Sequence, residues 1–277
     1  MKININGVNY YYSWLTPYEA GRATLVCLHG FTGTSQTFEP VFQEQQKLNI
    51  LAIDLIGHGF TDTYVHPYRY QMACLCDDLA CLTEQLGIFS FALLGYSMGA
   101  RTALSFACRY PEKVQQLILE SGSPGLETDS ERRKRRFSDK HLAAFIMKHS
   151  LEEFVAKWQQ LPLFATQKDL PLESQSAVYQ ERISQQRYGL ACSLWFMGTG
   201  AQPSCWEQLS ELNMPILAIV GESDSKFQQI AQNMQKKQPS LSIDCLAQAG
   251  HCVHLEQPRT FEQKVLAFLE RGSTFAN

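Results

Sequence analysis

Nowhere in the 277 residues does an apolar run approach the ~20 residues that a membrane span requires. The N-terminal Met1-Lys2-Ile3-Asn4-Ile5-Asn6-Gly7 also has no apolar core of a signal peptide. Both absences exclude membrane insertion and point to a cytoplasmic protein. An excess of one charge is missing too: 24 Lys and Arg against 27 Asp and Glu leave a net charge of -3, which gives nucleic acid and acidic membrane surfaces no reason to bind. The nine cysteines lack metal-ligand spacing; an odd number of scattered residues reads as free thiols, with no metal site. No repeat, low-complexity tract or linker sets off a second independent domain. What the chain does have is 45% hydrophobic residues, enough for one large core and a modest excursion from it. Oligomeric state is left open.

The most specific local pattern is Gly95-Tyr96-Ser97-Met98-Gly99, a G-x-S-x-G pentapeptide. Residues 91–94 before it have the length of a buried strand, and residues 102–107 after it read as a small-and-apolar helix. A turn that sharp leaves no room for side chains beside the serine, hence the flanking glycines. Ser97 would then stand at the top of a parallel sheet as the nucleophile of an α/β-hydrolase elbow. That arrangement needs an acid and a histidine later in the chain, in that order. Residues 214–220 form a strand-like run opening into Gly221-Glu222-Ser223-Asp224, and residues 242–246 form another, followed by Ala249-Gly250-His251. Asp224 and His251 therefore complete the set, the acid fixing the imidazole tautomer so that the other ring nitrogen takes the serine proton. Glu222 comes too early in its turn, Asp244 lies inside a strand, and His254 is read as opening the last helix.

The oxyanion hole of this fold takes one amide from the residue after the serine and one from an early loop. Here those are Met98 and Phe31, the latter in His29-Gly30-Phe31-Thr32-Gly33 after a strand at 24–28. His29 is read as holding this loop rather than as a second base, and Asp54-Leu55-Ile56-Gly57-His58-Gly59 as a structural turn. Strands and helices alternate up to residue 121, then no strand is found from 123 to 203, so the chain divides into a core at 1–122, a helical cap at 123–203 and the rest of the core at 204–277. The cap opens with Glu131-Arg132-Arg133-Lys134-Arg135-Arg136. At ~100° per residue, Arg132, Arg135 and Arg136 share a face while Arg133 and Lys134 point elsewhere. A charge run is ordinarily a solvated surface. Arg101, one turn beyond Ser97, and Arg182 in the cap tilt the reading toward a ligand with several carboxylates, which Arg grips bidentately.

Longer segments resemble one family: LESGSPGL at 119–126, the Glu131-Arg132-Arg133 run, FVAKWQQLPLF at 154–164, Gly198-Thr199-Gly200, GESDSKF at 221–227 and Gly250-His251. They are similar to the menaquinone-pathway 2-succinyl-6-hydroxy-2,4-cyclohexadiene-1-carboxylate (SHCHC) synthases, across nearly the whole chain and through the cap. The family usually reads Gly-Gly-Arg after the elbow where this chain has Gly99-Ala100-Arg101. The resemblance implies loss of pyruvate from 2-succinyl-5-enolpyruvyl-6-hydroxy-3-cyclohexene-1-carboxylate, with no cofactor. Ser97, His251 and Asp224 would act as the proton-abstracting base, and Phe31 and Met98 as the oxyanion hole. By matching motifs, Arg101, Arg135 and Arg182 would hold the three substrate carboxylates, with Tyr96 and Trp158 as further pocket contacts. The register of the 132–136 run leaves Arg132 and Arg136 as competitors of Arg135. Two other readings stay open: an ester or carbon–carbon hydrolase working through an acyl-serine, and a hydrolase-fold binding protein without catalysis.

Overall fold

A computed structural model describes residues 1–272. The strands are β1 (Lys2–Ile5), β2 (Val8–Trp14), β3 (Thr24–Leu28), β4 (Asn49–Ile53), β5 (Phe91–Tyr96), β6 (Val114–Glu120), β7 (Ile216–Gly221) and β8 (Ser242–Leu246). They form one sheet in the order β1-β2-β4-β3-β5-β6-β7-β8. Only the β1–β2 hairpin and its junction with β4 are antiparallel. That hairpin turns at Asn6-Gly7, whose φ values of 50° and 84° suit a tight turn between right-twisted strands. β4, β5 and β7 are buried along their whole length, as strands covered on both faces must be, which is why they read as unbroken apolar runs.

The α-helices in chain order are α1 (Glu39–Phe42), α2 (Met72–Gln85), α3 (Met98–Arg109), α4 (Asp129–Lys148), α5 (Leu151–Trp158), α6 (Leu172–Ile183), α7 (Arg187–Met197), α8 (Ser225–Lys237), α9 (Val253–Glu256) and α10 (Pro258–Gly272). One face of the sheet is covered by α2, α3 and α8, through residues such as Leu75, Phe106 and Met234. The other is covered by α1 and α10 through Val41, Phe42, Phe261 and Val265. Helices α4 to α7 all fall between β6 and β7 and have their own small core, including Ile146, Phe154, Leu190 and Leu194. The amphipathic stretch from 174 to 196 breaks into two helices at residues 184–186 rather than running on.

The start of α4 explains part of its unusual sequence. Thr128 Oγ1 accepts from the Glu131 amide at 3.2 Å and Glu131 Oε2 accepts from the Thr128 amide at 3.0 Å, a reciprocal capping box. The cap then docks on the core at close range: a Cβ on Gly189 of α7 would lie 2.1 Å from the Gly57 carbonyl oxygen. Gly59 N–H adds a 3.0 Å bond to Gln185 Oε1. These contacts hold α7 and the turn before it against the loop that follows β4.

The loop after β3 is held by His29. Its Nδ1–H donates to the Gly30 carbonyl at 2.7 Å and its Nε2 accepts from the Leu55 amide at 2.9 Å, so the neutral ring satisfies both neighbours. Burial pushes the imidazole down to about 4. A second proton would point Nε2–H at the Leu55 N–H. Because the folded pKa lies below the ordinary ~6.5, the unfolded chain binds the extra proton first, and stability is lost as pH falls from ~6.5 toward 4. Urea unfolding is therefore expected to show a loss on the order of 2 kcal/mol between pH 7 and pH 4.5 from this residue. His29→Gln, which keeps one donor and one acceptor, should lose less over that interval. Equal acid sensitivity in the two proteins would remove His29 as the source.

Candidate active site

Strand β5 delivers its chain to Ser97 through a turn that only small neighbours permit. Ser97 has φ 51° and ψ -103°, in the strained region where non-glycine residues are uncommon. A Cβ on Gly95 would lie 2.3 Å from the Gly99 carbonyl oxygen, and one on Gly99 would lie 2.0 Å from the Leu28 carbonyl oxygen. The Ser97 amide donates to the Glu120 carbonyl of β6 at 2.9 Å, and the Ser97 carbonyl accepts the Arg101 amide at 3.0 Å. Met98 is the first residue of α3, so its N–H has no acceptor within the helix.

Asp224 follows β7 and caps α8, its Oδ1 accepting from the Phe227 amide at 3.2 Å. Its Oδ2 accepts from His251 Nδ1–H at 2.7 Å, and Ser97 Oγ–H donates to His251 Nε2 at 3.0 Å. Both distances lie within direct hydrogen-bond reach. His251 is only 2% exposed and Asp224 7%. Phe227 and Phe164 rings flank the imidazole at 4.7 and 6.3 Å between centroids. Shielding of this kind strengthens the electrostatic interaction between acid and imidazole.

A cavity of about 540 Å³ opens above Ser97, with Phe31, Met98, His251, Tyr96 and Trp158 on its walls. Arg101, Arg135 and Arg182 line it as well, from α3, α4 and α6. Arg135 reaches it although Arg132 and Arg136, on the same side of α4, are drawn to the Leu126 and Gly200 carbonyls at 2.8 Å each. Arg133 and Lys134 are exposed. Arg135 Nε donates to Asp139 Oδ1 at 2.7 Å. Arg101 donates to the Met197 carbonyl at 3.0 Å and to Gln202 Oε1 at 2.6 Å. Burial, then the nearby Arg135 charge, brings the Arg101 guanidinium down to about 10, still charged at neutral pH. Burial also lowers Arg182, whose Nη2 donates to Gln167 Oε1 at 3.0 Å. Arg182 Nη1 and Trp158 Nε1 are buried polar atoms with no protein partner. Each such atom carries an unpaid desolvation cost that a ligand acceptor would offset.

Some participants were not visible to sequence reasoning. Glu181, adjacent to Arg182, accepts from the Thr34 amide at 2.9 Å and from the Thr34 hydroxyl at 2.7 Å, tying α6 to the loop that carries Phe31. Burial raises its carboxyl pKa, with the Thr34 and Thr37 bonds opposing that. Gln167, the partner of Arg182, sits in a stretch with no motif. His254 does not open the last helix: it lies in the short α9, buried against Glu120. The one signal for it is the carboxylate that ends the apolar residues 117–119 of β6.

A mostly parallel sheet with a serine elbow, a buried Asp–His pair and a helical insertion before the acid strand defines an α/β hydrolase, and the family model described as alpha/beta hydrolase fold matches residues 23–258. A Bacillus subtilis (strain 168) protein with the provisional name 2-succinyl-6-hydroxy-2,4-cyclohexadiene-1-carboxylate synthase is 44% identical over 245 residues, 88% of this chain and 89% of that protein. A Salmonella schwarzengrund protein bearing the same name, 2-succinyl-6-hydroxy-2,4-cyclohexadiene-1-carboxylate synthase, is 32% identical over 87% of this chain and 92% of its own length. The solved structure of MenH from S. aureus superposes with a TM-score of 0.89 at 33% identity, covering 96% of this chain and 99% of that one. The chain belongs to the SHCHC synthase family of α/β hydrolases.

The elbow yields a direct test of how tightly it is packed. Gly99→Ala is expected to cost more than ~4 kcal/mol in chemical denaturation, or to prevent folding, because its Cβ would meet backbone that cannot move aside. Gly87→Ala, with nothing within 4 Å of its Cβ and only a φ of 76° against it, should cost about 1–2 kcal/mol. Equal effects of the two would contradict the close-packed elbow.

Proposed function

We propose that the chain is an SHCHC synthase of menaquinone biosynthesis, eliminating pyruvate from 2-succinyl-5-enolpyruvyl-6-hydroxy-3-cyclohexene-1-carboxylate, and that Ser97, with His251 and Asp224 behind it, is the general base. The observation that carries this reading is a hydrogen-bonded Ser–His–Asp series opening into a cavity walled by three arginines. A neutral ester would gain nothing from three cations. A substrate with three carboxylates is matched to them one for one.

Ser97 passes its proton to His251 and removes the ring C2 proton beside the succinyl ketone. The resulting enolate oxygen has the charge of an acyl-transfer oxyanion, and the Phe31 and Met98 amides are assigned to stabilise it. Collapse of the enolate forms C2=C3, C3=C4 shifts to C4=C5, and the C5–O bond breaks to expel the enolate of pyruvate, which takes up at carbon the proton that His251 gives back. No electrons leave the substrate, so no redox cofactor enters the balance. Arg101, Arg135 and Arg182 hold the carboxylates, and Tyr96 and Trp158 frame the ring. The cap at 123–203 supplies Arg135, Arg182 and Trp158 and shields the reaction from water. Among the described residues no helix is long and apolar enough to cross a membrane, and we place the enzyme in the cytoplasm, without nucleic-acid partners.

The experiment is incubation with enolpyruvyl substrate made in situ, following the conjugated diene and pyruvate together. Wild type should release them in equal amounts. Ser97→Ala, His251→Ala and Asp224→Asn should each lower kcat by about 10²-fold or more while circular dichroism stays native. Arg101→Ala, Arg135→Ala and Arg182→Ala should each cost roughly 2–4 kcal/mol in kcat/KM, and Arg133→Ala almost nothing. No diene from wild type, or a burst of product with activated esters, would move the assignment to an acyl-serine hydrolase.

A further inference from the structure

A carboxylate stands against the arginines of the cavity, where a site for anions has least use for one. Asp139 lies one helical turn beyond Arg135 on α4, is 3% exposed, and its Oδ1 accepts from Arg135 Nε–H at 2.7 Å. Helix stability does not account for it. An ion pair four residues apart contributes little, and the favourable order puts the acid first, whereas here the arginine precedes it. The other oxygen, Oδ2, is buried with no protein partner, an arrangement that costs stability. What Asp139 contributes therefore lies in what it does to its neighbours.

The end of α7 meets both this acid and a second arginine. The Met197 carbonyl accepts from Arg101 Nη1–H at 3.0 Å. At the next residue, a Cβ on Gly198 would lie 2.7 Å from Asp139 Oδ2, so the missing side chain leaves the carboxylate its place. Gly198 lines the cavity, as do Arg101 and Arg135. Two adjacent backbone positions thus touch Arg101 directly and Arg135 through Asp139. The two cations oppose each other: the Arg135 charge makes Arg101 release its proton more easily, and the Asp139 charge acts the other way. Among the described residues, Nε–H to Asp139 is the only hydrogen bond of the Arg135 side chain. Its Nη1 and Nη2 stay available as the two-donor edge that matches a carboxylate.

We propose that Asp139 is a positioning residue of the substrate clamp, which holds Arg135 through Nε so that the Nη1 and Nη2 edge is ready for a substrate carboxylate, and which offsets the repulsion between Arg135 and Arg101. The inference rests on the reading of Arg135 as a carboxylate contact. Its consequence is opposite in sign to that of charge alone. Removing an anion from beside a site for a trianion leaves more positive charge there and, by Coulomb attraction only, tightens binding. Removing the support of Arg135 loosens binding, because the ligand must then order a long side chain that Asp139 had already fixed.

The test uses the whole protein in two arms: turnover of the enolpyruvyl substrate, and calorimetric titration with propane-1,2,3-tricarboxylate, a trianion that does not react. Asp139→Ala is expected to raise KM about 10-fold and to weaken trianion binding by a similar factor, with kcat within about 3-fold of wild type. Asp139→Asn keeps the shape and an oxygen for Arg135 Nε–H, so its losses should be about 3-fold, and it stands in for the alanine variant should that fail to fold. In an Arg135→Ala background, Asp139→Ala should add less than about 2-fold to either measure, since its effect runs through Arg135. A shift of stability alone, with KM and trianion affinity unchanged, would make Asp139 a structural residue and overturn the proposal. Tighter trianion binding in either Asp139 variant, or an equal loss with and without Arg135, would overturn it as well. A wild type that binds the trianion, and loses it on Asp139 substitution, yet forms no diene would remove the reaction assignment and leave the role of Asp139 standing.

Discussion

Everything at the site depends on one close approach, that of the first turn of α3 to the end of β3. With 2.0 Å between a would-be Gly99 Cβ and the Leu28 carbonyl oxygen, the two segments touch backbone to backbone. Ser97 takes its positive φ at this contact, and Met98 directly after it opens α3. The strain is retained because the surroundings over-determine it: the Ser97 amide is tied to β6, Gly95 leaves room for Gly99, and β5 is buried throughout. The strained turn leaves Ser97 Oγ 3.0 Å from His251 Nε2.

The second constraint is the tie between cap and core. Glu181 and Arg182 are neighbours on α6, yet they face different tasks: one grips Thr34 in the Phe31 loop, the other stands in the cavity. One helix, α6, thus carries both the tie to the Phe31 loop and a guanidinium in the cavity wall. Two buried His–carboxylate pairs sit side by side beneath this assembly, His251 with Asp224 and His254 with Glu120, and Tyr96 packs its ring against both imidazoles at 5.5 and 4.8 Å.

Much of the fold was legible because its signals are local. Strands β5 and β7 are buried on both faces and so lack polar interruption, while the elbow glycines and the chain order of Ser97, Asp224 and His251 follow from steric and topological necessity. Helices α4 to α7 fall where the strand pattern is lost after residue 121, and the helical phase of the 132–136 run sets Arg135 apart from Arg133. What stayed hidden is what depends on long-range approach. The Asn6-Gly7 turn is a hairpin signal, but which strand that hairpin would join is decided by its pairing with β4. Glu181 and Gln167 carry no motif, since a hydrogen bond across the cap depends on placement rather than neighbours in sequence. His254 was read as opening the last helix, whereas it lies in the short α9, its ring held by a buried Glu120 that no local pattern ties to it.

The central claim is that Ser97 takes a proton from carbon instead of attacking a carbonyl. The most direct measurement is a single turnover with substrate carrying deuterium at ring C2, compared with the protium form, while the intact mass of the enzyme is followed by rapid quenching. The account expects diene formation to slow several-fold on deuteration, with no mass added to the protein at any time. Equal rates for the two substrates together with a transient adduct on Ser97 would contradict it.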